Sequence, residues 1–412
     1  MALDLIPTQT EGEHDTATAT ATNKPQYLGC LAAEIQIDIT KNLEKKDLRS
    51  LRLVNRSLGT DTFDVFAEKN FSNLSCRFNT QSLENVRNVS AAPQFARHVK
   101  TIEFYAGRGY ETGLLWPRFV PRLVSSGRTS QLPGNLEIRT QKINDMLLKD
   151  IFSNFARCGS AKCVGVSITD DFFVPAVHAL AIALNTSGHS VEELHCSVDK
   201  LPQLLEETET GRCNYAWDFK LASAFSQIAK HSWSKLRAMH FICPAAGVSW
   251  PYVVSALRSL IEAASSLQEL TLQLPLQDLR EVRRAVTDRQ NLRVLKLLGN
   301  GKSCDYVDIE LHDILSAVYH SLETLMLEDI MIFTNNDDHW KGTLAWLSHA
   351  PNLRCLSCQN LRSTTSPSFS SWLLLDGKGD PQFEVEGSKE EVKEKLSTLV
   401  AEAGRRQDLE VG

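Results

Sequence analysis

A phosphate-binding loop is the first chemistry this chain could support. Gly299-Asn300-Gly301-Lys302-Ser303 follows the apolar run LRVLKLL and ends in Gly-Lys-Ser. A Walker loop needs another glycine five residues before Gly301, so that backbone N–H groups can wrap the phosphates. Lys296 stands there, and the segment reads as a polar loop. Gly107 and Gly109 begin a dinucleotide fingerprint, but Thr112 occupies the third glycine site and no strand-to-helix context surrounds it. Cys355 and Cys358 have C-x-x-C spacing without a second pair. They fall in an apparent strand, where residues three apart face opposite sides and cannot share one ion. His189, His195 and Cys196 lie close in sequence but lack a matching ligand cluster. Gly165-Val166-Ser167-Ile168-Thr169 lacks the second glycine of a nucleophile elbow, and no His-Glu-x-x-His is present. No catalytic residue, metal site or cofactor is expected, which leaves binding as the chemistry to look for.

Composition narrows the partner. The chain has 412 residues, 42% of them hydrophobic, and a net charge of −6. That is a folded chain with a sizeable core, and an acidic balance gives no reason to expect nucleic acid. No apolar run reaches the roughly 18 residues a membrane span needs. The first residues, MALDLIPTQTEGEHD, lack a basic start and an apolar core, so no secretory signal is expected. The ten cysteines are then expected as free thiols in the cytoplasm or nucleus, and the sequons at Asn55, Asn73, Asn88 and Asn185 as unused.

The elements that must position any binding residues are of two kinds. The first is helical. Leu31, Ile35, Ile39 and Leu43 recur every four positions, one stripe on a helix. Glu44, Lys45 and Lys46 read as a charged turn, and Asp47 as the cap of a second helix whose stripe is Leu48, Leu51, Val54 and Leu58. Gly59 is expected to stop it. Thr60 or Asp61 would cap a third short helix carrying Phe63 and Phe66. So small a unit has little core of its own and leans on a neighbour or a partner.

The segment LAAEIQIDITKNLEKKDLRSLRLVNRSL, Leu31 to Leu58, resembles an F-box. Leu31, Glu34, Ile35, Ile39, Leu43, Asp47, Leu48, Leu51, Arg52, Val54, Asn55 and Arg56 stand where that family's pattern wants them. Ala32 departs from it, replacing the usual proline at the helix start. VFAEKNFSNLSCRF, from Val65, is similar to the tail that follows the box. The resemblance implies docking on the Skp-family adaptor of a cullin–RING ubiquitin ligase. Leu31, Ile35, Ile39, Leu43, Leu48, Leu51 and Val54 would supply the apolar contacts and the small core, with Glu34 and Asp47 fixing helix ends.

The second kind of element is a repeat. Five segments read Leu-x-x-Leu-x-Leu or close to it, at Leu236, Leu267, Leu292, Leu322 and Leu353. Weaker members begin at Val99, Cys163 and Val191. Helical stripes lie between them: Val253, Leu257, Leu260 and Ile261; Leu279, Val282 and Val286; Leu311, Ile314, Leu315 and Val318; Leu344 and Leu347. A strand and a helix recurring every 25 to 31 residues mark a leucine-rich-repeat solenoid. A doubly wound α/β domain shares that rhythm, but its strands are not built from one recurring motif.

The expected fold is therefore α/β: an N-terminal three-helix F-box, then an irregular leucine-rich-repeat solenoid with a curved parallel sheet and outer helices. Residues 1–26, with the low-complexity DTATATATN, read as a disordered tail. The F-box takes 27–75 and the solenoid 76–362, with a loop or insertion at 105–135. Residues 363–412 read as a tail with a capping helix striped by Val392, Leu396, Leu399 and Val400. The expected function is substrate recognition for an SCF-type ubiquitin ligase, without catalysis. The F-box would hold the adaptor and, through it, a cullin; the strands would hold a target protein. The alternating strand positions His240, Glu269, Thr271, Gln273, Lys296, Thr324, Met326, Ser357 and Gln359 are the expected target face. A scaffold without ligase activity and, less favoured, an enzyme hidden in the repeats are the competing readings.

Overall fold

The computed structural model describes residues 31–54, 56–105, 134–199, 233–243, 251–274, 276–299, 306–333, 339–366, 369–372 and 382–398. The expected tail at 1–26, most of the expected insertion at 105–135 and the Gly-rich candidates at 107–113 and 300–303 lie outside them. The chain divides into two compact units, Met1–Lys69 and Asn70–Gly412.

The first unit is helical. α1 spans Ala33–Asn42, α2 Lys45–Val54 and α3 Arg56–Asp61, and α4, Phe63–Phe71, runs into the second unit. Three expectations need correction. α2 begins at Lys45, so the charged turn is already helical and Asp47 sits inside the first turn rather than capping it. Its carboxylate there still faces the positive end of the helix dipole. Gly59 does not stop α2, which ends at Val54; it lies within α3. Most tellingly, α1 does not bury its apolar stripe. Its buried residues are Gln36 and Thr40, both of which find bonds locally: Gln36 Nε2 donates to the Leu31 carbonyl at 2.7 Å and Thr40 Oγ1 to the Ile37 carbonyl at 2.8 Å. The buried apolar residues of the unit, among those described, are Leu48, Leu58 and Ala67. Lys69, on α4, donates its ammonium to the carbonyls of Lys41 and Leu43 at the end of α1, where a cation meets the negative end of the dipole. Arg52 lies 3.9 Å from the centre of the Phe66 ring and 5.2 Å from that of Phe63, a cation–π tie between α2 and α4.

The second unit is an open ten-stranded sheet with helices. Its strands are β1 Asn73–Arg77, β2 Thr101–Tyr105, β3 Cys163–Thr169, β4 Glu193–Asp199, β5 Ala238–Ile242, β6 Glu269–Gln273, β7 Val294–Leu298, β9 Thr324–Glu328, β11 Cys355–Gln359 and β14 Gln382–Glu386. They follow chain order across the sheet, and every neighbouring pair is parallel except the last, β11–β14. A doubly wound sheet reverses its strand order part-way; this one never does. A second sheet of four short strands has the order β13 (Phe369–Trp372), β12 (Arg362–Ser366), β10 (Met331–Phe333), β8 (Tyr306–Val307). It was not foreseen, and with β14 it corrects the expected tail at 363–412, which holds strands of both sheets. The helix at 389–398 is present and buries Val392 and Leu396. β1 likewise begins at Asn73, inside the residues assigned to the F-box.

The helices are α5 Thr80–Ala91, α6 Pro93–Ala96, α7 Gly134–Cys158, α8 Asp170–Ser187, α9 Pro251–Ala263, α10 Leu276–Thr287, α11 Asp308–Val318 and α12 His339–Leu347. They pack in succession: α7 against α5 and α8, α9 against α8 and α10, α10 against α11. Each strand of the large sheet from β2 to β11 is preceded by one buried aliphatic residue and points two more buried side chains inward, as Leu267, Leu270 and Leu272 do around β6 and Leu322, Leu325 and Leu327 around β9. These meet the buried stripes of the helices in one continuous core. The strands also start alike. The Arg237 carbonyl accepts from the N–H groups of both Gln268 and Glu269, and Gln268, Arg293 and Glu323 each play the same role for the next strand. A repeated backbone bond of this kind is what lets one short motif be reused along a sheet.

One buried histidine makes stability depend on pH. His189 follows the turn at Gly188, whose φ of +67° suits glycine. Its ring stacks on Phe152 with centres 5.6 Å apart, and its Nε2 lies 3.0 Å from the Ala161 carbonyl. A carbonyl only accepts, so Nε2 carries the proton. Burial holds the His189 pKa below its ordinary 6.5, with Lys162 acting in the same direction and the Ala161 bond against them. The unfolded chain thus binds a proton more readily than the folded one. Stability falls as pH drops from about 6.5 towards the folded-state value and is unaffected above. Thermal melts of wild type and His189→Gln at pH 7.5 and 5 check this: the variant keeps a donor, cannot titrate, and should lose less of its Tm on acidification.

Candidate functional site

Register arranges the open face of the large sheet into three rows. The middle row runs Ser75, Glu103, Gly165, His195, His240, Thr271, Lys296, Met326, Ser357 and Glu384 from β1 to β14. The flanking rows hold Glu193, Glu269 and Thr324 on one side and Ser197, Gln273, Glu328 and Gln359 on the other. Strand alternation sends the residues between them to the helices, so polar and buried apolar positions separate cleanly, as in the burial of β5, β7 and β9.

The expected target residues therefore share one face, in these rows, but not all are exposed. Thr271 and Ser357 are buried, which corrects their reading as contact residues. Thr271 instead holds a neighbour: its hydroxyl lies 2.9 Å from His240 Nδ1. Small side chains sit low between longer ones in a pleated row, so the accessible relief is made by His240, Lys296, Met326 and the flanking rows.

Electrostatics tie the centre of the face together. Lys296 Nζ is 3.0 Å from Glu269 Oε1, and His240 Nε2 is 4.0 Å from the same oxygen. The His195 and His240 rings lie 4.4 Å apart, and His195 Nε2 is 3.8 Å from Glu193 Oε2. Burial pushes the His240 pKa down, and His195 pushes it further, against Glu269; His240 is neutral at pH 7. Sequence reasoning missed the part of this face on β2–β4, namely Glu103, Cys163, Glu193 and His195. The same alternation runs through VEELHC, but that segment carries no leucine at its first position and so was ranked as a weak repeat. His195 and Cys196 point to opposite faces, the former exposed and the latter buried, and His189 is buried elsewhere, so these three do not converge. Cys355 and Cys358 also differ, half-buried against fully buried.

On the helical unit, the residues expected to meet the adaptor divide. Only Leu48 is buried; Leu31, Ile39, Leu43 and Leu51 are half-buried, Ile35 is 50% exposed, and Glu34 and Asp47 are exposed. The Val54 side chain lies outside the described residues. The stripe that was expected to fill the small core is instead only partly buried, with Ile35 its one exposed member among the described residues. Leu53 is 89% exposed.

An open polar groove of about 530 Å³ lies at the strand starts, lined by Gln268, Gln290, Asn291, Arg293, Glu323 and Asn352 among others. No helix among the described residues is long and apolar enough to cross a membrane. No known family model matches the chain, and no curated protein is found as a relative.

Proposed function

We propose that the chain is the substrate-recognition subunit of an SCF-type ubiquitin ligase: the helical unit docks on a Skp-family adaptor, and the repeats hold a target protein. The observation that carries this reading is the inverted burial of α1. A helix of an ordinary hairpin buries its apolar stripe; α1 buries Gln36 and Thr40 and leaves Ile35 half exposed beside Leu31 and Ile39. An exposed isoleucine flanked by partly buried apolar residues on a folded support suits a partner surface. The resemblance of the same residues to the F-box pattern supports a Skp-family adaptor as that partner.

The repeats support the second half. Strands in unbroken chain order, built on one motif with one recurring start bond, fit an irregular leucine-rich-repeat solenoid. Among the described residues its face offers polar and charged rows. The receptor makes no bonds itself; it raises the local concentration of the target's lysines near a ubiquitin-charged enzyme. Co-purification tests the reading: the full chain should capture the Skp-family adaptor and, through it, a cullin, in a cytoplasmic or nuclear extract. A chain that captures neither is a scaffold outside the ligase.

Ala32 bears on the strength of docking. It stands at the N-cap of α1 with φ −57° and ψ 146° and makes no side-chain cap bond. Proline prefers that φ. Ala32→Pro is expected to stabilise the unit by about 0.4–1 kcal/mol by restricting the unfolded chain, and to leave adaptor capture intact. A thermal melt and a pull-down check the two halves.

A further inference from the structure

We propose that Cys163, Glu193 and His195 form a binding site for a borderline divalent cation, Zn²⁺ above all, on the open face of β3 and β4. Their ligand atoms all lie within 4.8 Å of one another. Cys163 and Glu193 are register partners on adjacent strands, and His195 is two residues beyond Glu193 on the same face. A thiolate, an imidazole and a carboxylate are the donor types zinc takes, and three protein ligands with a fourth position open is a recurrent arrangement.

The geometry is close to what the ion needs. Bonds of 2.0–2.3 Å in a tetrahedron put ligand atoms about 3.5 Å apart. His195 Nε2 and Glu193 Oε2 are already 3.8 Å apart, so closure on Cys163 takes only small side-chain rotations. The residue opposite His195 on β3 is Gly165, and Glu103 leans across it so closely that a Cβ on Gly165 would meet Glu103 Cγ at 2.9 Å. Glu103 thus occupies the space that a side chain at Gly165 would take, and its charge acts on Cys163. Thr101 bonds the Cys163 sulfur from the neighbouring strand, a support for the ligand of the kind that tunes metal sites.

Without metal the Cys163 thiol is pushed up to about 11, chiefly by burial and further by Glu193 and Glu103, against the Thr101 bond. It is protonated at pH 7. Binding the cation displaces that proton to solvent and leaves the thiolate bound. Thiolate and Glu193 together neutralise the two positive charges, with His195 neutral.

The site is independent of adaptor docking and is tested on the full chain alone. Reduced, metal-free protein is titrated with Co²⁺, which reports thiolate ligation by a near-ultraviolet charge-transfer band, and then with Zn²⁺ as competitor. The expected result is one equivalent bound with that band, displaced by Zn²⁺. Cys163→Ser should remove the band, and Glu193→Gln and His195→Asn should each weaken binding at least ~10-fold while keeping it. Cys355→Ser, at a half-buried thiol on β11, should change nothing. A band that survives Cys163→Ser, binding unchanged in Glu193→Gln and His195→Asn, or no uptake overturns the proposal; Cys163, Glu193 and His195 are then an ordinary thiol beside a surface carboxylate and imidazole.

Discussion

Replacing Ile35 with aspartate is expected to lower affinity for the Skp-family adaptor at least 100-fold while leaving the helical unit folded. Ile35 is 50% exposed in the third position of α1, so its side chain contributes little to the unit's own core. Aspartate in a first helical turn interacts favourably with the helix dipole, which offsets its poorer helix propensity. In a docked complex the same carboxylate would be forced against apolar surface without a partner. A penalty of about 3 kcal/mol corresponds to the stated loss. Leu48→Asp is the contrast, because Leu48 is fully buried; that change should unfold the unit and abolish capture for a different reason. Binding measured by calorimetry beside a circular-dichroism melt separates the two. Adaptor binding by Ile35→Asp at wild-type strength would remove the F-box reading.

Leu295→Ala is expected to cost about 3 kcal/mol and to break the unfolding of the repeats into more than one transition. Leu295 is fully buried on β7 between Leu270 of β6 and Leu325 of β9, so truncation opens a cavity that neighbouring leucines cannot fill. Where each repeat is stabilised mainly by its neighbours, one weak interface uncouples the two sides. Leu298, on the open face of the same strand and only half-buried, supplies the control: Leu298→Ala should cost about a third as much and preserve the single transition. Urea unfolding followed by circular dichroism and tryptophan fluorescence reports both. Equal costs for the two variants would contradict the division of the strand into a buried and an open side.

What the sequence revealed followed the strength of the repeat. All five strong segments became strands, from β5 to β11, because a leucine buried every two or three residues leaves a short strand few alternatives. The three weaker ones became β2, β3 and β4, yet their region looked degenerate. The register explains why: β2 to β3 steps 62 residues, from Thr101 to Cys163, and β4 to β5 steps 45, from Glu193 to Ala238. Two long insertions hid a period that was still running. The second sheet left almost no trace. β8 and β10 have two and three residues, too few for any alternation. β12 is RSTTS, which reads as a loop until parallel pairing with β10 selects its β-branched threonines. The helical stripes α9, α10 and α11 were plain because their buried residues keep the 3.6 period. α1 misled for the opposite reason: its period was right, but the face that turns inward carries Gln36 and Thr40, whose side chains donate to nearby carbonyl groups of their own segment.

The candidate face was legible only as far as the strong repeats reached. From β5 onward the exposed positions could be counted from the leucines. Thr271 and Ser357 were placed on the correct face but at the wrong depth, since alternation gives direction and not height. Cys163, Glu193 and His195 come together through register between β3 and β4, and no spacing within one segment announces a neighbour thirty residues away.

The order of the strands also bears on how the protein is made. Each strand of the large sheet pairs with the one before it, and most partners are 25 to 31 residues apart, as Glu269 and Val294 or Thr324 and Cys355 are. A strand emerging from the ribosome therefore finds its template already in place, and no edge waits for a distant segment to arrive. Short loop closures of this kind fold quickly and keep unpaired strands from accumulating during synthesis. The last addition, β14, enters against the direction of the others. An antiparallel strand with Glu384 and Glu386 exposed presents the outer edge with charge and reversed polarity, a poor template for another copy of the repeat, so growth of the sheet ends within the chain that began it.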